Sequence, residues 1–209
     1  MKNVFRLLFL MLLAPAAFAA WEEGVNYERL AAPQPTESGD LIEVRELFWY
    51  ACPHCYQVEP DLHEWLEHKP DDVKFVRMPA ILGPNWELLA RAYYSAEILD
   101  VVDKVHGPIF EHLHKDRKRI RTPEDVKVIF VAQGVDAADF DNAFKSFAVV
   151  TKTNRSKRVP EMYGISGVPA LIVNGKYRTS ATMAGGNQQM LEVVDFLIEQ
   201  ERKAAGSTN

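Results

Sequence analysis

The sequence predicts an α/β fold in two halves separated by a helical insert. Three observations carry this. A run rich in leucine, β-branched and aromatic residues, Leu41 to Tyr50, leads straight into Cys52-Pro53-His54-Cys55 and then into a helical pattern. The stretch from about Gly83 to Phe147 keeps helical spacing with no strand pattern. Asn174-Gly175 marks a tight two-residue hairpin after the strand-like run Val168 to Val173.

Residues 1–19 are expected to stand outside that fold. Lys2 and Arg6 make a basic start, Leu7 to Leu13 is unbroken apolar sequence, and Ala17-Phe18-Ala19 has small residues at the cleavage spacing. This is the pattern of a secretory signal peptide cleaved after Ala19, with an apolar run too short to span a bilayer. The remaining elements follow in order. Residues 20–40, with Pro33, Pro35, Ser38 and Gly39, read as an extended arm with a short strand near Tyr27–Leu30. Leu41 to Tyr50 is the buried central strand. Val58, Leu62, Trp65 and Leu66 then fall on one helical face, with Pro60 predicting a kink. Val73 to Met78 is the next strand.

The insert begins near Gly83. Leu88, Leu89, Ala92, Tyr93 and Ala96 keep helical spacing, as do Val105, Ile109 and Leu113. Thr122-Pro123-Glu124-Asp125 has a capping threonine, a proline in the first turn and acids near the positive end of the helix dipole. Gly134 ends that helix, and Asp136 caps the next, whose apolar face is Phe140, Ala143, Phe144 and Phe147. A helix over Lys152 to Met162, the strand Val168 to Val173, a return strand Lys176 to Thr179, and an amphipathic helix through Met190, Val193, Val194, Leu197 and Ile198 complete the chain. With the insert removed, a thioredoxin-like core remains. The predicted organisation is a discontinuous core domain at 20–82 and 150–203, an inserted helical domain at 83–149, and a flexible tail at 204–209.

Composition narrows the function. The full chain carries 24 Lys+Arg against 29 Asp+Glu; without residues 1–19 the balance is 22 against 29, a formal charge of −7. That excludes the net basic surface that non-specific nucleic-acid binding requires. Both cysteines, Cys52 and Cys55, lie beyond the signal, so they meet an oxidising compartment. A bridge across so short a loop removes few unfolded conformations and is a poor staple.

Three chemistries use C-x-x-C. Haem attachment needs histidine directly after the second cysteine, and position 56 is Tyr56. A zinc site could recruit His63 and His68. Their gap from Cys55 is too short, however, and Trp65 and Leu66 between them belong to an apolar helix face, so no metal is expected. The third is a redox dithiol. Cys52 at a helix N-terminus meets unpaired backbone N–H groups and the positive end of the dipole, which lower a thiol pKa. His54 adds a donor or a positive charge, and Pro53 stiffens the first turn without costing a needed N–H. A stabilised Cys52 thiolate stabilises the reduced form, by roughly 1.4 kcal/mol per pKa unit, and leaves the disulfide easy to give away.

The run Glu46-Leu-Phe-Trp-Tyr-Ala-Cys52-Pro-His-Cys55-Tyr-Gln-Val-Glu59 resembles the DsbA family of bacterial periplasmic disulfide oxidases. So do Gly167-Val168-Pro169-Ala170, Val173-Asn174-Gly175-Lys176-Tyr177 and the insert between them. The resemblance implies a thioredoxin fold with an inserted helical domain. It also implies donation of the Cys52–Cys55 disulfide to reduced, unfolded exported proteins in the periplasm, and re-oxidation by a membrane quinone-linked partner of the DsbB type. It implies a cis-proline loop at Val168-Pro169 that pairs with substrate backbone, and a buried tuning acid at Glu46. Glu59, one helical turn past Cys55, is a further candidate for the same network. Arg77 stands where relatives often carry lysine and offers a charge partner that cannot shuttle a proton. Ala51 precedes Cys52 where some relatives have an aromatic residue; Trp49 and Tyr50 are candidate walls of a substrate surface. No bound cofactor is expected. No separate N-terminal dimerisation module is visible, so a monomer is expected.

Other signals weigh less. Lys115 to Arg121 is a basic cluster that reads as a solvated helix end. His112 and His114 face different sides of a helix. Met162, Met183 and Met190 are scattered, and Asn154-Arg155-Ser156 is a glycosylation triplet only in form. Two competing functions share the sequence: a reductase or isomerase of the same fold with a less oxidising dithiol, and a groove-binding chaperone that does not use the thiols.

Overall fold

The computed structural model describes residues 21–206. The expected signal peptide with its cleavage site, and residues 207–209 of the expected tail, lie outside the described residues.

Strand β2 (Ile42–Phe48) is the centre of the molecule. Six of its seven residues are buried, so it carries no polar-out alternation. It pairs in parallel with β3 (Val73–Pro79) on one side and antiparallel with β4 (Ala170–Val173) on the other. Strands β5 (Tyr177–Thr179) and β1 (Glu28–Arg29) continue the sheet outward in the order β1-β5-β4-β2-β3. The parallel pair demands a crossover, which helix α1 (Pro53–His68) supplies. Val58 and Leu62 of α1 pack with Val44, Leu171 and Val173 of the sheet, together with the last helix, α8 (Asn187–Gly206). Helix α6 (Phe147–Met162) contributes Val159 to a separate cluster with Leu47, Met78 and Ile172.

Between β3 and α6 lie a 3-10 turn (Pro84–Trp86) and helices α2 (Glu87–Ile98), α3 (Val102–His114), α4 (Pro123–Ala132) and α5 (Ala137–Lys145). Thr122 and Asp125 form a reciprocal capping box at the start of α4, and the Asp136 side chain accepts from Ala138 and Asp139 at the start of α5. These helices bury Ile109, Phe110, Phe130 and Phe140 in one cluster that also contains Phe48, Tyr50, Cys52 and Cys55. The insert therefore roofs the cysteine motif.

The hairpin has a backbone requirement. Asn174 and Gly175 both take left-handed φ, +50° and +62°, the type I′ pattern. A Cβ on Gly175 would come within 2.1 Å of the Gln34 carbonyl oxygen, so only glycine fits. The Asn174 and Lys176 side chains both donate to the buried Glu201 carboxylate of α8, which ties the turn to the last helix.

Three local expectations change. Phe147 is 85% exposed and is not on the apolar face of α5. Helix α5 stops at Lys145, and Ser146 turns extended (φ −64°, ψ 150°), closing α5 and capping α6 with its hydroxyl. Phe147 is thus the first residue of α6, which begins five residues before Lys152 and runs unbroken across the expected 149/150 boundary. A one-turn helix, α7 (Ala181–Ala184), follows β5, and α8 continues to Gly206, beyond Lys203.

Thr122→Ala removes one side of the capping box. It should lower stability by about 1 kcal/mol, read as a shift in the urea midpoint at unchanged slope.

Candidate active site

The cysteine motif is placed by the end of β2. The strand stops at Phe48, the chain turns through Trp49, Tyr50 and Ala51, and the Cys52 N–H donates to the Trp49 carbonyl at 3.0 Å. Cys52 is the N-cap of α1, with extended backbone (φ −84°, ψ 118°) and Pro53 at the first helical position. The first turn of the helix leaves backbone N–H groups unpaired beside the Cys52 sulfur, and those of Cys55 and His54 favour its thiolate.

The two sulfurs meet opposite environments. Cys52 is lowered to about 6, first by a hydrogen bond from the Cys55 thiol, then by the backbone N–H groups of Cys55 and His54 and the nearby His54 ring; partial burial opposes this. Cys55 is fully buried, and that burial, with its donation to Cys52, pushes its thiol far up. The helix N-terminus contributes as the sequence predicts, but the leading donor is the partner cysteine. His54 is exposed, with Nδ1 3.2 Å from Gln57 Oε1.

Across from the motif, the Val168-Pro169 bond is cis, with Pro169 buried and Val168 half-buried. Cys52 Sγ lies 3.4 Å from the Val168 carbonyl oxygen. A thiol donates in that contact and a thiolate cannot, so it exists only in the protonated state. A groove of about 420 Å³ opens beside it, lined by His54, Ile165, Val168, Pro169, Thr182 and Met183 among others.

Beneath the motif lies a buried charged chain. Glu46 is completely buried on β2 and is not an exposed strand residue. It sits in register with Arg77 of β3, whose Nε reaches Glu46 Oε2 at 3.1 Å. Burial pushes Glu46 up to about 8 against the pull of Arg77, and the second oxygen, Oε1, has no hydrogen-bond partner among the described residues. Arg77 Nη2 also lies 3.5 Å from Glu59 Oε2 of α1. Glu59 is one helical turn past Cys55. Burial opposes its ionisation, but His106 and Arg77 outweigh burial and hold it below the usual carboxylate range.

His106 of α3 ends the chain. It is buried, with Nε2 3.3 Å from Glu59 Oε1 and Nδ1 2.8 Å from the Tyr50 hydroxyl. Burial lowers its pKa. A neutral ring beside an ionised Glu59 puts the proton on Nε2 and leaves Nδ1 to accept from Tyr50. His114 lies 2.7 Å from the Tyr50 carbonyl oxygen through Nε2 and stacks on Tyr56 at 5.0 Å. Sequence reasoning passes over His106, although its spacing from Ile109 and Phe110 puts it on the buried face of α3. Tyr50 is fully buried and walls no substrate surface; Trp49 is half-buried and stacks on Trp86 at 4.1 Å.

The structure thus brings Cys52, Pro53, His54 and Val168 together at one surface, with Cys55 and Pro169 buried behind them and Glu46, Glu59 and Arg77 in the interior. His63 and His68 are exposed on α1, where His63 pairs with Glu67 and His68 with the Glu64 carbonyl.

A family model described as a DSBA-like thioredoxin domain matches residues 77–197. The chain is 41% identical over 182 residues to the thiol:disulfide interchange protein DsbA of Pseudomonas aeruginosa, covering 87% of this chain and 86% of that one. It is 42% identical over 181 residues to DsbA of Azotobacter vinelandii, covering 87% and 85%. The crystal structure of Pseudomonas aeruginosa DsbA superposes with a TM-score of 0.84 at 40% identity, covering 88% of this chain and 95% of that one.

The opposed sulfurs predict a pH signature. The Cys52 thiolate, followed by its ultraviolet absorbance in the reduced protein, should titrate near 6. Because the folded value lies below the unfolded one, this thiolate's stabilisation of the reduced form is complete above the free-thiol pKa of about 8.5 and is lost as pH falls through about 6. Denaturation of reduced and oxidised protein across that range measures it.

Proposed function

The chain belongs to the DsbA family of protein disulfide oxidoreductases, and on that premise we propose that it is an oxidase, giving its Cys52–Cys55 disulfide to newly exported polypeptides. The observation that carries the direction is the donor set around Cys52 Sγ, supplied by the Cys55 thiol and the first-turn N–H groups. Stabilising the thiolate stabilises the reduced dithiol, so the disulfide is the higher-energy form and tends to be passed on.

The steps follow from the two environments. A substrate thiolate attacks Cys52 Sγ, and the bond to Cys55 breaks. Cys55 leaves as an anion in a site that disfavours anions and is protonated at once. A second substrate thiolate attacks the substrate sulfur of the mixed disulfide and expels Cys52 as a stable thiolate. The substrate loses two electrons and two protons. The protein gains two electrons, one proton on Cys55 and a thiolate at Cys52, with one proton going to solvent.

Glu46 is the group suited to hold the proton for Cys55. Its raised value leaves it largely protonated near neutrality, and its charged form adds to the rise at Cys55. Arg77, Glu59 and His106 hold it in place from β3, α1 and α3. Pro53 and His54 set the first turn of α1, and the Val168-Pro169 loop offers the Val168 carbonyl beside Cys52 for pairing with substrate backbone. The domain assignment is a thioredoxin-like core with the helical insert as its roof. Export to the periplasm, re-oxidation by a membrane quinone-linked partner of the DsbB type, and action as a monomer complete the reading.

Three variants test it. Cys52→Ser should abolish oxidation of a reduced, unfolded test protein. Cys55→Ser should capture a peptide disulfide at Cys52 and hold it as a mixed disulfide, seen by intact mass. Capture by Cys52→Ser through Cys55 instead would contradict the assignment. Glu46→Gln should slow disulfide transfer by roughly tenfold or more and remove a rate limb that falls as pH rises through about 8.

A further inference from the structure

Separate from the cis-proline groove, a cleft of about 890 Å³ runs between the start of α2, the end of α3 and the loop 115–121. It touches Ala51 and Pro53, the two neighbours of Cys52. Leu88, Leu113 and Ile120 give it a half-buried apolar floor. Its outer wall is basic. From Lys115 to Arg121 five of the seven side chains are cationic and one, Asp116, is acidic, in a chain whose formal charge is −5.

Local partners do not use up that charge. Lys115 pairs with Glu111 at 3.2 Å and Lys118 with Asp116 at 3.1 Å. Of the two acids just downstream, Asp125 is occupied by the backbone N–H groups of Arg121 and Thr122, and Glu124 forms no ion pair among the described residues. Arg117, Arg119 and Arg121 are exposed and form no ion pair among the described residues. The loop is also held in shape. Asp116 and Lys118 donate backbone bonds to the Glu111 and His112 carbonyls, and Arg117 sits in the left-handed region at φ +56°. Arginine forks on a fixed backbone suit carboxylates, which accept two parallel N–H bonds.

We propose that this cleft is a second client-binding surface, selecting extended polypeptide segments that carry Asp or Glu, with an apolar side chain among them, close to the reacting cysteine. The inference rests on the oxidase reading above. A client cysteine over Cys52 has chain on both sides of it. One side lies in the groove at Val168-Pro169; the other crosses Pro53 into the basic cleft. Both neighbours of Cys52 line the cleft, so the acids that meet its arginines stand close to the cysteine in the client sequence.

The test uses the full oxidised protein and two dithiol peptides, identical except that Asp and Glu near the cysteine in one are Asn and Gln in the other. The acidic peptide should be oxidised about tenfold faster at low ionic strength, with the ratio falling toward one near about 1 M salt. In an Arg117→Gln, Arg119→Gln, Arg121→Gln variant with an unchanged melting temperature, the ratio should fall to about one. The corresponding lysine variant should keep most of it. Equal rates in the wild type, or a ratio that survives the glutamine variant, would overturn the proposal. So would arginine-dependent binding to anionic phospholipid vesicles with no peptide preference, which would assign the wall to a membrane surface. Failure to oxidise either peptide would remove the oxidase reading and this inference with it.

Discussion

One helix start gives two sulfur atoms opposite preferences for a proton, and the rest of the site is arranged around that difference. At the N-cap, the Cys52 sulfur lies beside backbone N–H groups that a helix leaves unpaired, those of His54 and Cys55. Three residues on, Cys55 is inside the protein, and its thiol donates to Cys52. The asymmetry needs a helix that begins at this position and nowhere else. The end of β2, the 3.0 Å turn bond from Cys52 to Trp49 and the proline at the first helical position together set that beginning.

The central strand pays for this placement by burying charge. Glu46 and Arg77 face each other across the parallel pair, Glu59 and His106 extend the contact to α1 and α3, and Tyr50 closes the end. A carboxyl in such a place costs stability unless it is neutral or paired. Here it is paired through one oxygen and left bare at the other, the compromise expected of a group that holds and releases a proton. The Arg45–Glu43 pair on the same strand, equally buried and joined at 2.8 Å, makes a useful contrast. Both Glu43 oxygens are partnered, Oε1 by Arg45 and Oε2 by the Glu37 backbone N–H, as in a structural pair.

Much of this was legible in the residues. Runs of leucine, β-branched and aromatic residues mark the central strands and helical spacing marks the major helices, because burial imposes both patterns. The Asn174-Gly175 turn and the Thr122 and Asp136 caps were readable because local hydrogen bonding decides them. The cysteine pair and its helix start were visible for the same reason. His106 was not, since a histidine among Val105, Ile109 and Phe110 looks like filler until the fold brings Glu59 and Tyr50 to its two nitrogens. Phe147 misled because helical periodicity carries across a helix break, and only the extended Ser146 shows that two helices meet there. The basic run at 115–121 read as solvated surface, because nothing in one dimension places it beside Pro53.

Ser146 has one further consequence. Because it ends the last helix of the insert and begins one that packs on the sheet, no slack linker separates roof from core on that side. The insert is spliced in by continuous secondary structure and shares its apolar interior with the cysteines. It is therefore ill suited to swing open as a lid or to be traded between relatives as a module. Variation in its size has to enter at the bends between its own helices, which is where the exposed arginine-bearing bend already stands.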